Sequence, residues 1–299
     1  MQSDELSPIL KWAGGKAQLI DDITQVIPKE FGRSINKYVE PFVGGGALLF
    51  HVLSHYSVKE VHISDFNSEL VNMYIAIKED AESVIHVLKQ YEDKYLPLDN
   101  SGRKKYYYDN RKKFNQLMGD NNGNNPILRA ALFIFLNRTC FNGIYRVNRS
   151  GNFNVPMGMY RNPTICNSRN IKLVSDVLQR VDICCCSYED TEKFIDENTL
   201  LYLDPPYRPL KGQDNFKSYT ESDFNDEEQI KLAEYIKRVS GKGAHFILSN
   251  SDPKNVDPDD NFFDDLYKEY TIKRILAKRL INRNSSSRGA IGEILVTNC

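Results

Sequence analysis

Asp204, Pro205, Pro206 and Tyr207 follow directly on the apolar run Leu200 to Leu203. Read as a strand, that run delivers the Asp204 carboxylate to the carboxyl end of a sheet, where open α/β sheets place their ligands. The two prolines remove two backbone donors and stiffen the chain, so carbonyl oxygens are presented in a fixed arrangement. Tyr207 adds a flat face for stacking. An exocyclic amine has two N–H donors, and Asp204 with the Pro205 carbonyl provides two acceptors. Accepting both hydrogens shifts electron density toward the nitrogen and favours its pyramidal, nucleophilic form. In isolation the same four residues also suit an ordinary proline turn after a strand.

A second group runs from Tyr38 to Ala47, Tyr-Val-Glu-Pro-Phe-Val-Gly-Gly-Gly-Ala. A strand feeding three glycines and then a helix is a βα turn whose backbone can approach a ligand closely. The spacing is not GxGxxG and no GK[ST] follows, so neither the dinucleotide nor the P-loop fingerprint is met. Asp65, nineteen residues past Gly46, ends the short strand Val61 to Ile63. A carboxylate there can accept hydrogen bonds from both hydroxyls of a ribose. The pair suggests a nucleoside cofactor without a pyrophosphate, a description that S-adenosylmethionine (SAM) fits; a solvated turn aspartate is the plainer alternative.

Further along, Ile144 to Asn148 suits a strand, Arg149-Ser150-Gly151 a turn, and Phe153 to Val155 a returning strand. A hairpin carrying an arginine, amides and an aromatic at its base suits the major groove, where Arg can bind guanine O6 and N7 bidentately. Ordinary β packing is the alternative. Near the start, Lys11-Trp-Ala-Gly-Gly-Lys16 imitates a P-loop fragment, but Leu10 and Ala17 stand where that motif needs Gly and Ser/Thr.

These groups need a scaffold. Besides the strands already named, strands are expected at Ala244 to Leu248, Thr271 to Leu276 and Ile291 to Thr297, with a charged amphipathic helix over Glu227 to Val239. Alternating strands and helices predict a mostly parallel α/β sheet. From about Ser68 to Met118 the chain reads as helical, then comes the Gly/Asn-rich loop Gly119 to Pro126 and a helix over Ile127 to Asn137. The expected organisation is therefore a catalytic α/β domain from residues 1–66 and 185–299, interrupted by a helical insertion at 67–184.

Charge singles out the same insertion. The 299 residues include 39 Lys plus Arg and 40 Asp plus Glu, a net charge of −1. Yet Asn121 to Ser175 contains no acid, while Arg129, Arg138, Arg146, Arg149, Arg161, Arg169 and Lys172 give it seven positive charges, leaving −8 for the rest. A second acid-free block, Thr271 to Arg288, carries Lys273, Arg274, Lys278, Arg279, Arg283 and Arg288. Either block could be a solvated face; two of them in an otherwise acidic chain point toward a polyanion. Composition is that of a globular chain, 41% hydrophobic and 26% charged. No secretory signal opens it, and the longest apolar run, Ala130 to Leu136, is too short to cross a bilayer. Three of the six cysteines are consecutive, Cys184 to Cys186, and are expected on a buried strand rather than in disulfides. A soluble, cytoplasmic protein is expected, without membrane contact. The five histidines show no metal-ligand pattern, so no metal is expected, and the acids Asp257, Asp259, Asp260, Asp264 and Asp265 read as a solvated run.

Over nearly its whole length the chain resembles the Dam-type DNA adenine-N6 methyltransferases. The resemblance is carried by Lys11-Trp-Ala-Gly-Gly-Lys16, Glu40-Pro-Phe-Val-Gly-Gly-Gly46, Asp65-Phe-Asn67, Phe141-Asn-Gly-Ile-Tyr-Arg-Val-Asn148 with Phe153-Asn-Val-Pro156, and Asp204-Pro-Pro-Tyr207, in the family's order. It implies a SAM-dependent, Rossmann-like sheet with an inserted basic DNA-recognition domain carrying a β-hairpin. Trp12, Lys16, Phe42, Gly44, Gly45, Gly46, Asp65 and Asp204 would contact SAM, and Asp204, Pro205, Pro206 and Tyr207 would hold the target adenine. Lys11, Arg138, Phe141, Asn142, Ile144, Arg146, Asn148 and Pro156 would contact duplex DNA, with Arg146 reading a guanine and Phe141 in the position of an intercalating aromatic. The expected reaction is methylation of a flipped adenine at N6 within GATC, by a monomer. Met159 departs from the family, whose GATC-reading members commonly have a basic residue there. A cytosine-C5 enzyme would need a cysteine nucleophile, typically after proline, and no Pro-Cys pair exists. Methylation of cytosine N4 or of adenine in RNA, and a non-catalytic DNA-binding protein of the same fold, are the competing readings.

Overall fold

The computed structural model describes residues 6–12, 14, 16–118, 125–208, 224–278 and 290–299. The helices are α1 (Ile20–Thr24), α2 (Ala47–His55), α3 (Ser68–Tyr95), α4 (Asn100–Met118), α5 (Pro126–Thr139), α6 (Ser168–Leu178), α7 (Asp226–Gly241) and α8 (Phe262–Leu266). The strands are β1 (Lys37–Glu40), β2 (Glu60–Ser64), β3 (Val181–Cys184), β4 (Thr199–Leu203), β5 (His245–Ser251), β6 (Thr271–Lys278) and β7 (Ala290–Thr297). The chain divides into two compact units, one from residues 1–15, 44–50 and 65–185, the other from 16–43, 51–64 and 186–299.

The first unit is helical. Asn67 starts α3 by accepting hydrogen bonds from the Glu69 and Leu70 N–H groups, satisfying donors that the first turn leaves free. The helical stretch expected over Ser68 to Met118 is broken twice, at Asp80 inside α3, where the backbone leaves the helical region (φ −149°, ψ 70°), and after Tyr95, where Pro97 removes a backbone donor; Asp99 then caps Gly102 N at 2.7 Å to open α4. Asn125 caps α5, with Pro126 in its first turn, where a missing N–H costs nothing. Ala130 to Leu136 is buried all round, so α5 is the unit's central helix, packed against α3 and α4. The cysteine trio is not on a buried strand. β3 stops at Cys184, and Cys184 and Cys185 are exposed, because an apolar run does not mark where a strand leaves the core.

In the second unit the strands stand in the order β2-β1-β4-β5-β7-β6. β2, β1, β4 and β5 are parallel, whereas β7 runs antiparallel to both β5 and β6, so the sheet is mostly parallel, as the sequence leads one to expect, with an antiparallel pair at one edge. β4 is buried along its full length, as a central parallel strand covered on both faces must be. On one face, Leu232, Tyr235, Ile236 and Val239 of α7 pack against Leu201, Leu203, Phe246, Leu248 and Ile294. From β1 the strand order runs to β2 on one side and β4 on the other. That is a topological switch point, the place where open α/β sheets leave a crevice at their carboxyl ends. Among the described residues, no helix is long and apolar enough to cross a membrane.

Candidate active site

In the first unit the glycine turn and Asp65 are joined directly. Gly44 N donates to Asp65 Oδ2 at 3.1 Å and Asn67 N to Oδ1 at 2.9 Å. Burial raises the Asp65 carboxyl above its usual range, and the backbone donors of Asn67, Gly44 and Phe66 oppose that rise. Oδ2 thus accepts from the glycine turn and Oδ1 from the start of α3. Gly44 and Gly46 have φ of 49° and 74°, and the Tyr74 hydroxyl donates to Gly44 O at 3.0 Å. A Cβ on Gly44 or Gly45 would come within 3.0 and 2.9 Å of Trp12, and one on Gly46 within 2.8 Å of Tyr74 Oη, so no side chain fits. Trp12 stacks on Tyr145, ring centroids 5.9 Å apart. Sequence reasoning passed over Phe66, which follows Asp65 and is 86% exposed, a flat apolar face beside the carboxylate. A carboxylate, a side-chain-free turn and an open aromatic suit a nucleoside.

In the second unit Asp204 ends β4, with about one-fifth of its side chain accessible. Lys16, only 4% exposed, lies 2.9 Å from Asp204 Oδ1 and 3.5 Å from Glu293 Oε2 of β7. It also hydrogen-bonds the Tyr207 hydroxyl, which in turn donates to Glu293 Oε2 at 2.8 Å. Burial pushes the Asp204 carboxyl up to about 6; the Lys16 ammonium opposes the rise and the Glu293 carboxylate adds to it. Burial, with Asp204 and Glu293 nearby, raises the Tyr207 phenol far above its ordinary range, so it stays a neutral donor. The Lys16 ammonium also lies 4.5 Å from the Tyr207 ring centroid, occupying one face of a ring expected to stack. The proline turn is held from α7, where buried Gln229 donates to Pro206 O at 3.3 Å. Phe42 packs on Tyr188 and Phe224, at 5.6 and 6.0 Å between centroids.

Just past the turn, buried Arg208 grips Asp226 through two bonds of 2.6 and 2.9 Å and Asp260 at 2.7 Å. Asp264 likewise pairs with Arg274 and Lys254. The acidic run expected to be solvated is therefore partly consumed in ion pairs. Among the described residues, no group of three or more His, Cys, Asp or Glu could hold a metal ion. Arg279, Arg283 and Arg288 of the second basic block lie outside the described residues.

The expected reading residues all fall in the first unit. The hairpin turns at Asn148–Gly151, with Val147 bridging Phe153 and Asn154 N bonded to Arg146 O at 3.1 Å; it makes single bridges, not a full ladder. Arg146 is exposed, with Nε on Asn154 Oδ1 at 2.7 Å. Phe141 is 51% exposed beside Asn142, whose φ is 55°. Asn148 Oδ1 accepts from Ser150 and Asn152 N, holding the turn. Ile144 is half-buried, and exposed Pro156 accepts from Phe141 N at 2.8 Å. Lys11 crosses Gly143, where a Cβ would meet its own at 2.3 Å, and its ammonium sits 4.1 Å from the Tyr160 ring centroid. Arg138 is half-buried and reaches Pro8 O at 3.4 Å, a less open position than the others. Met159 is 81% exposed. Three α4 side chains that sequence reasoning missed hold the returning strand by its main chain. Tyr107 donates to Val155 O at 2.9 Å, Arg111 to Asn154 O and Val155 O at 3.2 and 3.0 Å, and Asn115 pairs with both Phe153 N and O. Their spacing of four puts them on one helix face.

The family described as D12 class N6 adenine-specific DNA methyltransferase matches residues 12–281. The chain is 44% identical over 296 residues to the type II methyltransferase M.MjaIII of Methanocaldococcus jannaschii, covering 98% of this chain and 99% of that one. It is 37% identical to M1.LlaDCHI of Lactococcus lactis subsp. cremoris, over 98% and 95% of the two chains. To a DNA adenine methylase of Vibrio cholerae the identity is 31%, over 96% and 94%.

Proposed function

The chain belongs to the D12 class of N6 adenine-specific DNA methyltransferases, and from that premise we propose that it methylates N6 of an adenine flipped out of duplex DNA within GATC, using SAM. The observation that carries this reading is Asp204: a carboxylate at the end of a buried central strand, oriented by Lys16 and followed by a pinned proline turn. SAM supplies an electrophilic methyl group on a sulfonium. Asp65 would accept hydrogen bonds from the two ribose hydroxyls, and Trp12, Lys16, Phe42 and Gly44 to Gly46 would supply further contacts to the cofactor. Asp204 and the Pro205 carbonyl accept the two amine hydrogens, and Tyr207 stacks on the base. As the methyl moves to nitrogen its bond to the sulfonium breaks and a neutral thioether is left; the nitrogen must then lose a proton, which Asp204 Oδ would receive. No covalent link to the protein forms.

Residues 67–184 serve as the recognition domain and 1–66 with 185–299 as the catalytic domain. Phosphate contacts by the basic insertion supply affinity, and the hairpin supplies base reading. The test is transfer of labelled methyl from SAM to duplex DNA, with modified bases mapped by single-molecule sequencing. N6-methyladenine confined to GATC supports the whole reading. N6-methyladenine in another motif moves the error to the hairpin, and label on cytosine or on RNA alone overturns the substrate assignment.

Two expected results follow from the geometry. Asp204 can take up the amine proton only when ionised, so kcat/KM should fall about tenfold per pH unit below a midpoint near 6 and be flat above it. A pH profile on saturating DNA lacking that limb would remove the carboxylate from the chemistry. Arg146→Ala should cost roughly 1–3 kcal/mol and relax preference at one base pair only, read by competition between duplexes differing at each position.

A further inference from the structure

We propose that Glu293 is a positioning residue for methyl transfer: it tethers the Tyr207 phenol and shares the Lys16 ammonium with Asp204, fixing the stacking ring and the accepting carboxylate relative to each other. The inference rests on the reading that Asp204 and Tyr207 hold the target base. Glu293 is the one acid on β7, whose next residues Ile294, Leu295 and Val296 are fully buried. Its side chain is 12% accessible, and a carboxylate that deep in a sheet is costly unless it is paired. Its β-sheet neighbours, Ser251 of β5 and Ile275 of β6, carry no charge. The partners come instead from the site: Tyr207 at 2.8 Å and Lys16 at 3.5 Å.

The consequence for Tyr207 is geometric. Its hydroxyl oxygen accepts from Lys16 and donates to Glu293, so both directions at the far end of the ring are taken. At the near end, Gln229 holds the Pro206 carbonyl. A ring anchored at both ends keeps its plane when a base arrives, and no ordering of the side chain remains for the reaction itself. The consequence for Asp204 is electrostatic. One ammonium faces two carboxylates, so Glu293 makes Asp204 harder to ionise. Tyr202 also faces Asp204 and Glu293, with buried Glu40 beside it; Asp252 and Arg274, near Gly292, pair with each other at 2.9 Å.

Glu293→Gln keeps an oxygen for the Tyr207 hydroxyl and removes the charge. The acid limb of kcat/KM should then move to lower pH, while the dissociation constants for S-adenosylhomocysteine and for duplex DNA stay within about twofold. Glu293→Ala removes the tether too and should lower kcat roughly tenfold or more, the scale of one hydrogen bond to a charged group. Tyr207→Phe should lower kcat similarly, and Tyr207→Phe with Glu293→Ala should lose little beyond either single change, since both cut the same link. An unmoved limb in Glu293→Gln, or additive losses in the double variant, overturns the proposal. Thermal unfolding separates a plain loss of stability, and Glu293→Gln serves as the test where Glu293→Ala does not fold. Asp204→Ala in the same assays separates the two levels. If it retains turnover, the underlying reading fails; if it is inactive and Glu293→Gln matches wild type, only the Glu293 inference fails.

Discussion

Asp204→Ala should reduce methyl transfer by at least about 10²–10³-fold while duplex binding persists. The magnitude follows from the loss of one preorganised hydrogen-bonding group in a site where little water competes. The fold should survive, because the Lys16 ammonium keeps Glu293 at 3.5 Å and the Tyr207 hydroxyl when its nearer partner is gone. DNA affinity should survive because Lys11, Phe141 and Arg146 belong to the other compact unit. Asp204→Asn refines the test, since an amide oxygen can still accept one hydrogen but the charge is lost; it should retain more turnover than alanine and show no limb near pH 6. Turnover with labelled SAM, beside fluorescence anisotropy on a duplex oligonucleotide, reads both quantities. Undiminished transfer by Asp204→Ala would sink the mechanism.

Asp65→Ala should weaken SAM binding by about 10²-fold or more. Two hydroxyls donating to a half-buried carboxylate form two hydrogen bonds to a charged group, each worth about 1.5–3 kcal/mol. The same change strips Gly44 N and Asn67 N of their acceptor, so the glycine turn and the start of α3 lose a shared anchor. Asp65→Asn, which keeps one acceptor oxygen, should fall between wild type and alanine. Calorimetric titration with S-adenosylhomocysteine measures this without turnover. A dissociation constant within twofold of wild type would remove Asp65 from the cofactor site.

The residues legible from sequence were those whose backbone demands a residue type. Gly44 and Gly46 adopt positive φ, Pro205 and Pro206 stiffen a strand end, and Asp65 and Asp204 close strands with obvious apolar runs. The helices between Ser68 and Asn137 showed through apolar spacing and a scarcity of Gly and Pro. Glu293 did not, because its partners Tyr207 and Lys16 are 86 and 277 positions away and no local pattern connects them. Gln229 and Arg208 were missed for the same reason: each acts by reaching across the fold. The cysteine trio was misplaced because alternation says which face a side chain takes but not where pairing stops. Charge counts had the opposite weakness. The run near Asp260 looked solvated since its partners Arg208 and Arg274 lie outside it in sequence.

The grip of Tyr107, Arg111 and Asn115 on the hairpin has a bearing on how such proteins diversify. All three bond to the peptide groups of Phe153, Asn154 and Val155, and none of these bonds depends on a side chain of the strand they hold. The support is therefore indifferent to which letters the hairpin displays. If the hairpin reads the target as proposed, exchange of exposed positions such as Arg146 or Met159 would change the word read and leave the frame beneath intact. On that reading, recognition would change in small steps while the chemistry proposed at Asp204 stays constant.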